Sequence, residues 1–270
     1  MRIATWNLLH GVALHAQQSE TTLAAEARRI AADVIAIQEV DYQQPRSSHH
    51  HQTQDIARAL ELEHWYFVPA ILGTPGVDWM AATDEHIHHH QFASEPMQPR
   101  YGIGLASRYP MTDIEILRFP PAKIPMPLLV PTPQGNKFFV VQDEPRVAML
   151  ATLDTPQGLL SIGTAHCSFV PGTNIKQLRS IAQTLEQRPG HRMLLGDFNL
   201  IGKIPQLITR WSSLAKLRTY PAHNAKVQFD HILASGFTPD AVRNMQQSAQ
   251  SLALAMSDHN ALVIDARWSN

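Results

Sequence analysis

Short apolar runs alternate with amphipathic segments along this chain. Residues 2–6 alternate polar and apolar side chains, which predicts a β-strand that delivers Asn7 to its end. Apolar side chains recur at helical spacing over residues 22–32, so an amphipathic helix is predicted there. Residues 33–37 form a short apolar run, and we expect a buried strand that Glu39 closes.

The remainder of the chain continues this alternation. Further strands are predicted over residues 101–107, 146–153, 159–165, 192–195, 229–234 and 261–267. Further helices are predicted over residues 54–62, 174–188 and 204–214, the last with Leu207, Ile208 and Trp211 facing inward. Each half runs strand, helix, strand ending in an acid, helix, strand. Two sheets packed together with helices outside, an α+β arrangement, satisfy that order.

Two stretches depart from the pattern. Residues 70–100 mix Gly, Pro and several His, and residues 109–133 contain seven prolines, from Pro110 to Pro133. Because proline removes a backbone donor, we expect extended loops rather than regular ladders in both stretches. Apolar side chains run through or beside both of them, so neither has the composition of a linker. We therefore expect residues 1–270 to form a single domain.

Composition narrows the function only slightly. The chain has 270 residues, a net charge of -1 and 44% hydrophobic residues, which is ordinary for a soluble globular protein. The near-neutral charge does not predict a broad positive surface that binds nucleic acid. No apolar run is long enough to span a membrane, and the N-terminal residues do not form a secretory signal. We expect a cytoplasmic protein without stable membrane insertion or an obligate protein partner.

Polar side chains with catalytic potential lie at or just beyond the ends of the predicted strands. They are Asn7, Glu39, His166, Asp197, Asn199, Asp230, Asp258 and His259. Polar groups at the ends of buried strands are costly unless they bind something. Carboxylate and amide oxygens suit hard cations such as Mg²⁺, and a His paired with a carboxylate serves as an acid, a base or a charge stabiliser. Together they predict a metal-dependent site that cleaves phosphoesters.

These residues lie within seven short motifs that resemble those of the endonuclease/exonuclease/phosphatase superfamily. The motifs are Thr5-Trp6-Asn7, Gln38-Glu39-Val40, Ser107-Arg108-Tyr109-Pro110, Thr164-Ala165-His166, Gly196-Asp197-Phe198-Asn199, Phe229-Asp230-His231-Ile232 and Ser257-Asp258-His259. They occur in the order of the superfamily and span nearly the whole chain. The resemblance implies a four-layer αββα sandwich of two mainly antiparallel sheets, with these residues meeting at one end.

The resemblance also implies a role for each residue. Glu39 binds the catalytic Mg²⁺ or Mn²⁺, with Asn7 beside it and Asp258 completing the metal region. Asp197 orients or deprotonates the attacking water. The remaining roles belong to side chains around the phosphate: Asn7, His166 and Asn199 contact the substrate, and His259, held by Asp230, stabilises or protonates the scissile group.

Several alternatives remain open at this stage. The phosphoester substrate is a small molecule, a phospholipid headgroup or DNA; the last makes the protein an endonuclease or exonuclease. A binding protein that has kept the fold without catalysis is a further alternative, although every residue of the site is present.

Other chemistry-bearing residues have plainer interpretations. The clusters His49–His51 and His86–His90 lack the spacing of a zinc site, and we interpret them as solvated loop side chains. Cys167 follows His166 directly, and neighbouring strand residues face opposite sides, so Cys167 is expected to pack in the core rather than act as a nucleophile.

Overall fold

The structure is a computed structural model that describes residues 1–13, 22–91, 97–132 and 135–268. In chain order its strands and α-helices are β1 (Arg2–Asn7), α1 (Leu23–Ile30), β2 (Val34–Tyr42), α2 (Gln52–Ala59), β3 (His64–Thr74), β4 (Asp78–Ala81), β5 (His88–His89), β6 (Arg100–Ser107), β7 (Met111–Phe119), β8 (Met126–Thr132), β9 (Gly135–Val141), β10 (Arg146–Thr155), β11 (Gly158–His166), α3 (Thr173–Glu186), β12 (His191–Asp197), α4 (Ile204–Thr209), β13 (Ser212–Ser213), β14 (Asp230–Ser235), α5 (Pro239–Ser248), β15 (Gln250–Leu252) and β16 (Ala261–Asp265). Short 3₁₀ turns cover Leu9–Gly11, Pro45–Ser47, Asp84–His86 and Ala222–Asn224.

Two large sheets carry the fold, and each is built on one pair of parallel strands. The first sheet has the order β15-β16-β1-β2-β6-β3-β4, with β5 against β3. The second has the order β13-β14-β12-β11-β10-β7. Strands β1 and β2 are parallel and joined through α1, while β11 and β12 are parallel and joined through α3. The other pairings within the two sheets are antiparallel. The predicted similarity of the two halves therefore appears as two equivalent crossover units.

Three apolar clusters show that the sheets and helices form four layers. The central cluster takes Ile3 from the first sheet and Ile162 from the second, so it lies between the sheets. A second cluster packs Trp6 against Ile30 and Ile56, beneath α1 and α2. The third packs side chains of the second sheet, such as Leu194, beneath α3. Because neighbouring strand residues face opposite sides, one strand supplies two layers, as β1 does with Ile3 and Trp6. This confirms the predicted αββα sandwich.

Strand β2 differs from its prediction at the residue that matters most. The strand was expected to close at Glu39, but it continues to Tyr42. Its register against β6 shifts between Ile37 and Val40, and Glu39 has a φ of 55°. A bulge of this kind redirects a side chain without ending the strand. Glu39 is therefore presented from within a strand, not from its end.

The two stretches predicted as loops contain strands. Strand β3 extends to Thr74, and β4 and β5 follow it, although residues 92–96 lie outside the described part of the chain. Strand β7 lies between Pro110 and Pro120 and forms an edge of the second sheet. Strands β8 and β9 form a separate hairpin, and Pro133 is outside the described residues. The prediction failed because proline excludes only central positions of a sheet, and edge strands tolerate it.

The helix predicted over residues 204–214 is shorter than expected. Helix α4 ends at Thr209, and Arg210 has a left-handed φ of 63°. Leu207 was predicted to face inward but is 77% exposed. Trp211 is buried as predicted, although it lies beyond the helix. Helix α5 was not predicted; its first turn is capped by Thr238, whose hydroxyl accepts from the Ala241 amide.

Two of the clustered histidines are buried, which corrects their interpretation as solvated side chains. His51 and His88 are 5% and 3% exposed. His51 caps α2 through a hydrogen bond from the Gln54 amide, and its ring lies edge-on to Tyr42 and Trp65. Cys167 is buried in the layer beneath α3, and burial raises the pKa of its thiol, as expected for a packed core residue. None of the described helices has the length and apolar character of a membrane span.

Buried histidines should make the protein sensitive to acid. Burial, helped by His88 and Arg100, lowers the pKa of His51 to about 3, and burial lowers the pKa of His231 to about 4. The folded state therefore favours the neutral rings, and this stability is lost as the pH falls from about 6.5, the ordinary pKa of an unfolded His. We expect the free energy of unfolding to fall by up to about 1.4 kcal/mol per pH unit for each ring between pH 6 and 4.

The test is urea denaturation of the wild type and His51→Asn from pH 7.5 to 4. Asparagine keeps a cap acceptor but does not titrate, so the variant should be less stable at pH 7.5 and lose less on acidification. Equal pH slopes for the two proteins would contradict the assignment.

Candidate active site

The sheet topology gathers the predicted polar residues at one end of the sandwich. Asn7 ends β1, His166 ends β11, and Asp197 ends β12. Asp197 lies opposite both His166 and Asp230, which begins β14, so three neighbouring strands present their side chains at one level. This arrangement is a direct consequence of register, because residues paired across strands are near neighbours.

The side chain of Asn7 joins the two sheets at this end. Its Nδ2 donates to Glu39 Oε1 at 2.9 Å and to Asp197 Oδ2 at 3.0 Å, while its Oδ1 accepts from the Leu9 amide at 3.1 Å. One amide therefore holds two carboxylates from different sheets within reach of each other. In this arrangement Asn7 positions the two carboxylates, and its own oxygen faces the backbone of the following turn.

The backbone around Asp197 leaves room only for glycine before it. Gly196 has a φ of 146°, and a Cβ there would lie 2.0 Å from the carbonyl oxygen of Ala165. Asn199 adopts a left-handed φ of 51°, and its amide donates to Asp197 Oδ1 at 2.8 Å. Both Asp197 oxygens are therefore fixed. Burial and the nearby Asp230 raise the pKa of Asp197 above its usual range, which makes it a stronger base.

His259 is held by Asp230 in a buried pair. The ring Nδ1 lies 2.8 Å from Asp230 Oδ2, and Nε2 lies 3.8 Å from Asp197 Oδ2 and 4.0 Å from Asp258 Oδ1. Burial acts to lower the pKa of His259, but the carboxylates of Asp230, Asp197 and Asp258 outweigh it and raise that pKa. The imidazole is therefore charged at neutral pH and has a proton on the nitrogen that faces Asp197.

His166 is neutral where His259 is charged, because burial and a neighbouring arginine both lower its pKa. Arg146 Nη1 lies 3.2 Å from His166 Nδ1, and burial, Arg146 and His259 lower the pKa of His166 well below its ordinary value. A guanidinium only donates, so His166 Nδ1 must be the acceptor and the ring proton lies on Nε2. That Nε2 is 3.9 Å from both Glu39 Oε1 and Asp197 Oδ2, which is too long for a hydrogen bond.

His166 and Asn199 form a pair of donors. Asn199 Nδ2 donates to the Cys167 carbonyl at 3.0 Å, which fixes the orientation of the amide. It also lies 3.3 Å from His166 Nε2, a contact between two groups that both carry hydrogens when the ring proton is on Nε2. The His166 Nε2 hydrogen and the second Nδ2 hydrogen of Asn199 are therefore adjacent donors with no acceptor between them, an arrangement that suits an anionic oxygen.

A buried group of Asp197, Asp230 and His259 has ligand atoms that all lie within 4.8 Å of one another, which is the spacing of a metal site. Within this group His259 Nδ1 is already paired with Asp230 Oδ2, so Nε2 is the ring nitrogen that faces the remaining space. Glu39 has a 20% exposed side chain and accepts one hydrogen bond from the described residues, from Asn7, so its carboxylate has room for a further partner. Burial raises the pKa of Asp258, which also faces this region.

Sequence reasoning missed the residues that support the site. Arg146 is bound by Asp143 and Glu144 as well as contacting His166. Gln38 links the sheets, because it accepts from Thr5 and donates to Thr164. Ser257 donates to the Asn7 carbonyl at 2.6 Å and accepts from the His259 amide at 3.0 Å. Gln38 and Ser257 lay inside the motifs, but only the topology reveals that Arg146 meets His166.

The comparisons with known proteins agree with this geometry. The sequence profile of the Endonuclease/Exonuclease/phosphatase family matches residues 4–259. Among curated proteins, none matches the sequence. Similar solved structures include an endonuclease/exonuclease/phosphatase from Beutenbergia cavernae (TM-score 0.57, 18% identity, covering 100% of this chain and 72% of that one). They also include a mannosyl-6-phosphatase from Bacteroides thetaiotaomicron (TM-score 0.61, 11% identity, covering 99% of this chain and 100% of that one). A third is the human Nocturnin catalytic domain (TM-score 0.55, 16% identity, covering 100% of this chain and 94% of that one). At these identities the structures establish a shared fold.

The bridging role of Asn7 predicts a stability that depends on divalent cations. Asn7→Asp replaces the shared donor with a third carboxylate, so the melting temperature in EDTA should fall by about 4 °C or more. Mg²⁺ or Mn²⁺ should restore more of the melting temperature in this variant than in the wild type, because it neutralises the added charge.

The matched control is Asn224→Asp, an identical change at an exposed position. Scanning calorimetry of the wild type and both variants, with and without the cation, gives the six melting temperatures needed. If both variants melt like the wild type in EDTA, Asn7 does not hold the two carboxylates together.

Proposed function

The chain belongs to the endonuclease/exonuclease/phosphatase family, whose members are hydrolases of phosphoester bonds, and we propose that it is a Mg²⁺- or Mn²⁺-dependent phosphodiesterase. The observation that carries this proposal is the contrast between its two histidines. A neutral His166 donor and a charged His259 lie on either side of the carboxylates Glu39 and Asp197. A phosphoryl group needs donors on its oxygens and an acid near its leaving group, and these residues supply both.

The residues at this end fit a hard divalent cation. Glu39 would hold the ion, with Asp258 and Asn7 completing its surroundings. When bound, such an ion neutralises charge that develops on the phosphoryl oxygens. The donor set consists of oxygens without any thiolate, which favours Mg²⁺ or Mn²⁺ over soft metals.

Asp197 is placed to orient and deprotonate the attacking water. Its carboxylate is buried and held by Asn7 and the Asn199 amide, so its oxygens have fixed directions. Its raised pKa increases its proton affinity, as a general base requires.

His166, Asn199 and His259 act on the phosphoryl group itself. The adjacent donors of His166 and Asn199 bind a non-bridging oxygen. His259 faces the same space with its Nε2 proton, and it stabilises charge or protonates the leaving oxygen while Asp230 holds the ring. Water attacks directly, and no covalent intermediate is needed.

The class of phosphoester substrate is the most specific element of the proposal. A diester is the first candidate and a monoester the alternative, because His259 can protonate the leaving oxygen of either one. A DNA endonuclease or exonuclease of the same family is the second candidate, and a non-catalytic binding protein is the third.

The site draws on both sheets, so we also propose that residues 1–270 act as one domain. We propose a cytoplasmic location and no obligate protein partner.

Hydrolysis of bis(4-nitrophenyl) phosphate, 4-nitrophenyl phosphate and plasmid DNA tests this proposal. We expect turnover of the diester with Mg²⁺ or Mn²⁺, no turnover in EDTA, and a loss of about 10²-fold or more in kcat for His259→Ala. The exposed His49→Ala serves as the control and should keep full activity.

Asp230→Asn should lose most of the same activity. The new amide keeps a hydrogen bond to His259 but lacks the negative charge that stabilises the protonated ring. Cleavage that persists in EDTA, or that proceeds at the wild-type rate in His259→Ala, would exclude the proposed site. Correctly folded protein that cleaves none of the three substrates would favour the binding-protein alternative.

A further inference from the structure

A cavity of about 550 Å³ lies between α1 and α2, outside the candidate active site. Helix α1 contributes Leu23, Ala24 and Arg28 to its wall, and α2 contributes Asp55, Arg58 and Ala59. Ligand sites in proteins commonly have volumes of about 300–1,000 Å³, so this cavity has room for a nucleotide-sized group.

The remaining wall comes from segments that adjoin the catalytic residues in the chain. His10, Gly11 and Val12 follow Asn7, and Met256 precedes Ser257. The Ser257 amide donates to the Val12 carbonyl at 3.0 Å, which joins this wall to the segment that carries Asp258 and His259.

Arg46 and Gln52 connect the cavity to the strand that carries Glu39. Arg46 lines the cavity and pairs with Asp41, two residues beyond Glu39. Gln52 accepts from the Asp41 amide at 2.8 Å and donates to the His10 carbonyl at 2.8 Å. These contacts join the lining residues Arg46 and Gln52 to the strand that carries Glu39.

The side chains that line the cavity carry a net positive charge once those that pair with an acid are set aside. Arg46 is neutralised by Asp41, and His50 lies 2.8 Å from Asp55, which is the one acid among the described lining residues. Arg28 and Arg58 make no hydrogen bond or ion pair in the described part of the chain, and each is exposed. Two guanidinium groups on facing helices attract an anion, and arginine suits phosphate in particular.

The helix dipoles favour an anion at the end of the cavity that lies toward the catalytic residues. Helices α1 and α2 each cross back from a parallel-running strand of the first sheet, so their N-termini lie toward the catalytic end. Helix N-termini carry partial positive charge. A helix of eight residues is about 12 Å long, so Arg28 and Arg58, in the last turns, lie one helix length further from that end.

We propose that this cavity binds a second phosphate group of the substrate, carried on the part of the molecule that does not react. This inference rests on the proposed phosphodiesterase function and narrows its substrate to molecules with at least two phosphates along an extended chain. The apolar wall of Val12, Leu23 and Met256 covers the connecting sugar-sized unit, while Arg28 and Arg58 bind the distant phosphate.

A series of 4-nitrophenyl esters of mono-, di- and trithymidylate measures this directly, because each member adds one phosphate. In the wild type, KM should fall about tenfold when the chain first reaches the cavity, the amount expected for one charge-assisted contact. In the double variant Arg28→Gln/Arg58→Gln this gain should disappear. The KM for bis(4-nitrophenyl) phosphate should be unchanged, since that molecule has one phosphate.

Arg179→Gln is the matched control, an exposed arginine on α3 beneath the other sheet. It should retain the wild-type gain across the series. A KM that does not fall with chain length, or that falls equally in the double variant, would overturn the proposed cavity site while leaving the phosphodiesterase function intact.

Calorimetric binding of trithymidylate in EDTA separates this inference from the catalytic one. The wild type and Arg179→Gln should bind it, and the double variant should bind at least about tenfold more weakly, even if none of them hydrolyses any ester. No binding by the wild type, or equal binding by the double variant, would contradict the inference independently of catalysis.

Discussion

The arrangement of this site depends on a single side-chain amide that is shared by two carboxylates. Asn7 brings Glu39 and Asp197 from separate sheets to one point, where their like charges would otherwise repel each other. The surrounding backbone is adapted to this contact: β2 bulges at Glu39, and Gly196 allows β12 to approach the Ala165 carbonyl. The two sheets are linked again through Gln38, just behind the site. The sandwich is thus joined most specifically where its chemistry occurs.

The two histidines show how neighbours alone assign chemical roles. Both rings are buried, and burial by itself lowers the pKa of each. Arg146 adds to that effect at His166, whereas three carboxylates reverse it at His259. One ring is therefore a neutral donor with a defined tautomer, and the other is a cation.

The sequence predicted the four-layer fold and the residues that gather at its end, because strand and helix periodicities are local and the motifs are short. It did not predict the bulge at Glu39, which arises from the register against β6. It also missed β7 to β9, since proline content does not reveal which strands lie at an edge. Arg146 precedes His166 by the length of a hairpin, and only the β10–β11 pairing brings it beside that ring. His51 and His88 were misassigned because burial of a loop residue depends on the aromatic side chains that pack around it.

The most direct test of the central claim is the position of the cation. Crystals grown with Mn²⁺ allow the ion to be located by anomalous scattering, independently of any assay. We expect a peak at the Glu39 carboxylate, near Asn7 and Asp258, with the His259–Asp230 hydrogen bond intact. A peak coordinated by the His259 ring together with Asp197 and Asp230, or no peak at this end of the sandwich, would contradict the proposed cation position.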